Sequence, residues 1–116
     1  MSDISELMTR NLMDVFNQRD EFLRVLAMTE IFETSATFAD HDGVVSGIEQ
    51  ISAKVHELHS RTPGFTFAQT SFYELDDLGS LSWSYGPEDG EPAVTGTDTA
   101  LIANGRITKL YTHLTS

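Results

Sequence analysis

The chain has 116 residues, of which 40% are hydrophobic and 22% charged, the balance of a single folded domain (residues 1–116) able to bury its own core. It contains no cysteine, which excludes a disulfide scaffold, a thiolate zinc site and a cysteine nucleophile. Seven Lys+Arg against 18 Asp+Glu give a formal net charge of −11, a field that repels phosphate backbones and anionic lipid, so no nucleic acid and no membrane is expected as a partner.

The opening Met1-Ser2-Asp3-Ile4-Ser5-Glu6 has no basic segment and no long apolar run behind it. Neither a secretory leader nor a membrane span is expected, and a cytoplasmic location follows as the expectation. Asp3 and Glu6 have capping-box spacing, and Ile4, Leu7, Met8, Leu12, Val15 and Phe16 recur at helical period. Asn17-Gln18-Arg19 interrupts that pattern. Asp20 can cap a second helix, whose buried side is expected to be Phe22, Leu23, Leu26 and Ala27. The period then changes to two: Phe32, Thr34, Ala36, Phe38 and Asp40 share one face of a half-buried strand. Ser46-Gly47-Ile48-Glu49 repeats the capping-box spacing and starts a third helix, with Ile48, Ile51, Val55 and Leu58 on one face. Thr62-Pro63-Gly64 stops it. Four more strand-like runs follow, at roughly 65–75, 80–86, 93–102 and 106–115, separated by short turns such as Ala103-Asn104-Gly105. Helices first and strands later is an α+β pattern, a curved antiparallel sheet wrapped over three N-terminal helices.

The strand near 93–102 carries the most informative residue. Val94, Gly96, Ala100 and Ile102 make an apolar, small-residue face with Asp98 in its middle. An isolated buried charge is too costly, so that carboxylate is paired, protonated or set in a polar pocket. It reads either as a structural acid tied to a backbone donor or a tyrosine hydroxyl, or as a functional one. The neighbouring strand turns Leu81, Trp83 and Tyr85 to one side and Ser80, Ser82 and Ser84 to the other. Its aromatic side would pack with the Asp98 face around a desolvated cavity holding one acid. Asp40 points inward at the end of its strand, yet Asp40-His41-Asp42-Gly43 is also a good turn sequence. Two inward carboxylates over such a cavity suit acid–base work if their environments push their pKa values apart. His56 and His59 fall at i, i+3 with no third ligand in view, so no metal is expected. No Ser-His-Asp motif supports nucleophilic hydrolysis.

Ala36-Thr37-Phe38-Ala39-Asp40, Ser46-Gly47-Ile48-Glu49-Gln50-Ile51, Gly96-Thr97-Asp98 and Gly105-Arg106-Ile107, in this order of helices and strands, resemble the nuclear transport factor 2-like superfamily. That group includes ketosteroid isomerase, SnoaL-like polyketide cyclases and limonene epoxide hydrolase. The resemblance spans nearly the whole chain and implies a cone-shaped, cystatin-like α+β fold. It implies that Asp40 matches the isomerase's proton-shuttling base and Asp98 the acid kept protonated to hydrogen-bond a developing enolate. Leu81, Trp83, Leu110 and Leu114 match pocket-lining positions, while Tyr111 and His113 face the other side of the sheet. The isomerase's second oxyanion donor, a tyrosine of the first helix, has no counterpart, since residues 1–30 contain none. The cyclase's assisting histidine is absent from the 80–86 strand, and the hydrolase's Asp-Arg-Asp set finds no match, since Arg10, Arg19, Arg24 and Arg61 fall on helices or turns and Arg106 at the turn into the last run.

Two main expectations follow. The first is a binding pocket for a small apolar molecule with one hydrogen-bonding oxygen, lined by Phe38, Leu81, Trp83, Tyr85, Leu110 and Leu114 and anchored by Asp98, with no cofactor. The second is a proton-transfer enzyme of isomerase or cyclase type, with Asp40 as base, protonated Asp98 as oxyanion donor and Tyr85 standing in for the missing tyrosine. A partner-binding role is the third, and the resemblance implies a homodimer through the outer sheet face, where Thr95, Thr97, Thr99, Tyr111 and His113 lie.

Overall fold

The computed structural model describes residues 3–115. Asp3 opens the first helix as a cap, its Oδ1 accepting the Glu6 N–H at 2.7 Å. Helix α1 (Ile4–Arg10) runs directly into a π-helical turn, Asn11–Phe16. That wider turn closes with the Asn17 N–H donating to the Leu12 carbonyl at 2.9 Å, and Leu12, Val15 and Phe16 are all buried. Asp20 caps helix α2 (Glu21–Ile31) through the Leu23 N–H.

The buried face of α2 differs from expectation. Arg24, Ala27, Met28 and Ile31 point inward, whereas Phe22, Leu23 and Leu26 are exposed. The phase is set by Ile31, which enters the core together with Phe32 at the start of the first strand. Phe22 lies about two and a half turns earlier and therefore faces the opposite side. Arg24 is fully buried, its Nε donating to Ser52 Oγ at 2.9 Å and its Nη1 to the Gln18 carbonyl at 2.8 Å. Burial holds its pKa below the ordinary arginine value.

Strand β1 (Phe32–Asp40) turns at His41-Asp42 into a short strand β2 (Gly43–Ser46), which was not expected, and helix α3 (Ile48–Arg61) follows. Phe32, Ala36 and Phe38 are inward as expected, but Thr34 is exposed, in the stretch where pairing with the last strand shifts register. The Ser46–Glu49 capping box does not form. Gly47 caps α3 without a side-chain bond, and Gln50 Oε1 accepts the Ser46 N–H at 3.0 Å instead. The far end of α3 is closed by Arg19, which donates to the carbonyls of His59, Thr62 and Phe65.

The remaining strands are β3 (Phe65–Leu75), β4 (Leu78–Pro87), β5 (Val94–Ala103) and β6 (Arg106–Leu114). The sheet order is β2-β1-β6-β5-β4-β3. Every neighbouring pair is antiparallel except β1 and β6, which run parallel. Register shifts interrupt β1/β6, β3/β4 and β5/β6, and such bulges bend a sheet and increase its twist. The concave face holds the core, built from Leu7, Met8, Met28, Ile31, Ile51, Val55, Leu81, Ala100, Ile107 and Leu110. Two glycines allow the closest approaches. A Cβ on Gly79 would meet Ile4 at 2.6 Å, and one on Gly96 would lie 2.4 Å from the Trp83 ring.

Candidate functional site

Between α3 and the concave face of the sheet lies a cavity of about 280 Å³. Six aromatic side chains line it: Phe16 from the π turn, Phe38 from β1, Phe65 and Phe67 from β3, Trp83 and Tyr85 from β4. Their rings form one cluster. Phe67 stacks on Tyr85 with centroids 4.0 Å apart and meets Trp83 edge-on at 5.0 Å. Phe16 reaches Phe67 and Phe38 at 6.1 and 5.7 Å. Val94, Leu114, Leu58 and Thr112 complete the wall.

Asp98 of β5 is the one carboxylate set among these rings, and it is only 3% exposed. Its Oδ1 accepts from the Trp83 Nε1–H at 3.0 Å and from the Thr112 hydroxyl at 2.7 Å. Among the described residues Oδ2 accepts no bond, which leaves that oxygen for whatever enters the cavity. Burial pushes the Asp98 pKa up to about 6, and the two hydrogen bonds and the nearby His113 only partly counter it. Register explains the arrangement. Trp83 sits opposite Gly96 on β5, the missing side chain leaves room for the indole against that strand, and its N–H reaches Asp98.

Tyr85 is bonded differently from the oxyanion donor role expected of it. The Thr62 hydroxyl donates to the Leu58 carbonyl at 2.7 Å, which uses its single proton. In the 2.5 Å contact between Thr62 Oγ1 and the Tyr85 hydroxyl, Tyr85 is therefore the donor. Its proton is committed to Thr62, the residue that ends α3.

Asp40 stands at the mouth. Its Oδ1 accepts the Asp42 N–H at 2.9 Å, forming the turn, and its Oδ2 pairs with Lys54 Nζ at 3.0 Å. Lys54 also approaches Asp42 at 3.7 Å. Among the described residues Asp40, His41 and Asp42 are the group whose ligand atoms, within 4.8 Å of one another, could share a metal ion. The Lys54 ammonium already lies against two of the three. Glu57 and Arg61, also at the mouth, are paired with each other.

Of the residues expected to line the pocket, Phe38, Trp83, Tyr85 and Leu114 do so together with Asp40 and Asp98. Leu81 and Leu110 do not: both are fully buried in the hydrophobic core and lie outside the cavity wall. Tyr111 and His113 are on the outer face, exposed. The register shift in β6 falls between Ile107 and Lys109, before Leu110, so the alternation beyond it is preserved. His56 is exposed while His59 is buried with Nε2–H donating to the Phe16 carbonyl at 2.6 Å, and burial lowers the His59 pKa.

Phe16, Phe67, Thr112, Thr62 and Lys54 were not anticipated in the site. For Phe67 the bulge at Thr70 hides the face assignment, since Gln69 pairs Trp83 and Ser71 already pairs Ser82. Lys54 carried a signal, because it lies on α3 one residue before Val55 and so beside the buried face.

A scan against protein-family models finds no match to this chain, and a search of curated proteins finds no relative by sequence. Solved structures do resemble it. A protein assigned as an isomerase of the SnoaL-like family from Agrobacterium tumefaciens superposes with a TM-score of 0.87 at 20% identity, over 95% of each chain. A SnoaL-like protein assigned as a polyketide cyclase from Jannaschia gives 0.79 at 17% identity, over 95% of this chain and 83% of that one. A protein of ketosteroid isomerase-like fold from Catenulispora acidiphila, solved in complex with trimethylamine, gives 0.75 at 19% identity, over 92% and 83%. At these identities the likeness is one of fold, and fold alone assigns no chemistry. The chain thus has the nuclear transport factor 2-like fold, the α+β cone of SnoaL-like and ketosteroid isomerase-like proteins.

Proposed function

We propose that this protein binds a small, mainly apolar molecule in the cavity, with Asp98 anchoring its polar head. The observation that carries the reading is one buried carboxylate with a spare oxygen in a mainly aromatic and aliphatic inner wall, inside about 280 Å³ of space. Concave, apolar sites with a few fixed polar groups are the usual form of a ligand pocket. A neighbour of the same fold that holds trimethylamine is consistent with a fold that accepts small molecules. A thermal-shift panel of one- and two-ring ketones, phenols and amines tests it. At least one class should raise the melting temperature, and the rise should disappear when Trp83→Ala removes the largest wall. A panel without any response would sink the proposal.

A second reading, proton transfer beside a carbonyl, draws on Asp40 and Asp98 lining the same cavity. Here protonated Asp98 donates from Oδ2 to the developing oxyanion, and Asp40 removes the proton. Asp40 reaches a substrate only if Lys54 releases one of its oxygens. Deuterium exchange from solvent into bound ketones, lost in Asp40→Asn, is the expected signature.

The outer sheet face, with Thr95, Thr97, Thr99, Tyr111 and His113, is proposed to pair two copies of the chain.

A further inference from the structure

Counting protons around the inner wall narrows the class of ligand. Three donors belong to its deepest polar groups, and each is already spent within the protein. The Trp83 N–H and the Thr112 hydroxyl donate to Asp98 Oδ1. The Tyr85 hydroxyl donates to Thr62, whose own proton goes to the Leu58 carbonyl. What remains toward the cavity is an acceptor, Asp98 Oδ2. With Asp98 ionised, as it is at pH 7.5 above its pKa of about 6, a ketone or other acceptor head finds no free partner there, whereas a group rich in N–H protons does.

Charge points the same way. The cations at the mouth are matched by carboxylates of this chain, Lys54 by Asp40 and Asp42, Arg61 by Glu57. Asp98 has no cationic partner within ion-pair distance among the described residues. Phe67, Trp83 and Tyr85 pack against one another in the same wall, and aromatic faces left open to the cavity attract cations, most of all where water is excluded. The net charge of −11 further concentrates cations near the mouth.

We propose that the cavity is a site for a small lipophilic amine, bound as its ammonium ion, with an N–H group on Asp98 Oδ2 and the apolar body among the rings. The proposal rests on the ligand-pocket reading above and names the head group that reading left open. About 280 Å³ lies at the small end of ligand-site volumes and suits a body of one or two rings.

Matched probes test it: benzylamine, acetophenone and benzoate, titrated into the intact protein at pH 7.5. The indole N–H resonance of Trp83, the single tryptophan, reports binding beside Asp98. Benzylamine is expected to bind at least tenfold more tightly than acetophenone, and benzoate more weakly than either. In Asp98→Asn the Trp83 and Thr112 donors hold the amide oxygen, so its NH₂ turns to the cavity and offers protons in place of an acceptor. The preference should then reverse toward acetophenone. Asp98→Ser provides a second variant in case the first fails to fold; by removing the anion it should weaken benzylamine at least tenfold and change acetophenone little.

Acetophenone binding as tightly as benzylamine overturns the amine assignment while the pocket reading stands. So does an unchanged amine preference in Asp98→Asn, or an equal loss of both probes in Asp98→Ser. No binding by any probe at millimolar concentration defeats the amine assignment and the pocket reading together.

Discussion

Asp98 is held where a carboxylate is costly, among aromatic rings with two hydrogen bonds and, among the described residues, no ion-pair partner. Its pKa rises from 3.8 to about 6 on folding because burial penalises the charged form. Between those two pH values the folded chain binds more protons than the unfolded one, so this group's contribution to stability falls as pH rises through the window. Above pH 6 its full penalty is in place, about 3 kcal/mol at 1.36 kcal/mol per pH unit. Asp98→Asn is therefore expected to be more stable than the parent at pH 7.5, by roughly 1–3 kcal/mol. That advantage should shrink toward pH 4. Urea unfolding of both proteins at the two pH values reads it, and a variant less stable at pH 7.5 than at pH 4, relative to the parent, contradicts it. Retaining a charge that weakens the fold is what a binding or reactive site requires. The residue itself was legible in the sequence, since a lone acid interrupts the apolar face of Val94, Gly96, Ala100 and Ile102. Its bonding was not, because the Trp83 and Thr112 contacts cross from two neighbouring strands.

Element by element, the cavity depends on how the π turn and β3 are joined. Asn17 ends the π turn, and its side chain both donates to the Phe67 carbonyl at 3.0 Å and accepts the Phe67 N–H at 2.7 Å. It thus takes the place of a strand partner and pins the ring that stacks on Tyr85. Asn17→Ala leaves both Phe67 backbone groups unpaired and should cost about 1–3 kcal/mol. Hydrogen exchange at the Phe67 amide should accelerate more than at the β4 and β5 amides. Uniform acceleration across the sheet would instead mark a general loss of stability. Helix periodicity revealed α1 and α3, but the α2 stripe of Phe22, Leu23 and Leu26 misled. An apolar stripe says that one face can be buried, and the chain entering β1 at Phe32 decides which face is. The Ser46–Glu49 box failed because Ser46 is held in β2, paired with Thr37, and only Gln50 reaches its N–H.

For the whole molecule, the concave face is filled by helices and the cavity, and the convex face presents Tyr111 and a row of threonines. Pairing of two copies over that surface predicts a dimeric mass at micromolar concentration by light scattering, reduced to the monomer by Tyr111→Glu. A monomeric parent ends that reading. The order of the three helices and five long strands, the α+β class and the inward faces of β4 and β5 were determined by the sequence alone, because helical and strand periods are local properties of a chain; β2 and the outward turn of Thr34 on β1 were not. Gly96 beneath Trp83, the spent protons of Tyr85 and Thr112, the ion pair of Lys54 with Asp40, and the exile of Leu81 and Leu110 to the core were decided by the tertiary structure. Each depends on register, bulges or curvature, which bring together residues far apart in the chain, and no local pattern of residues encodes those distances.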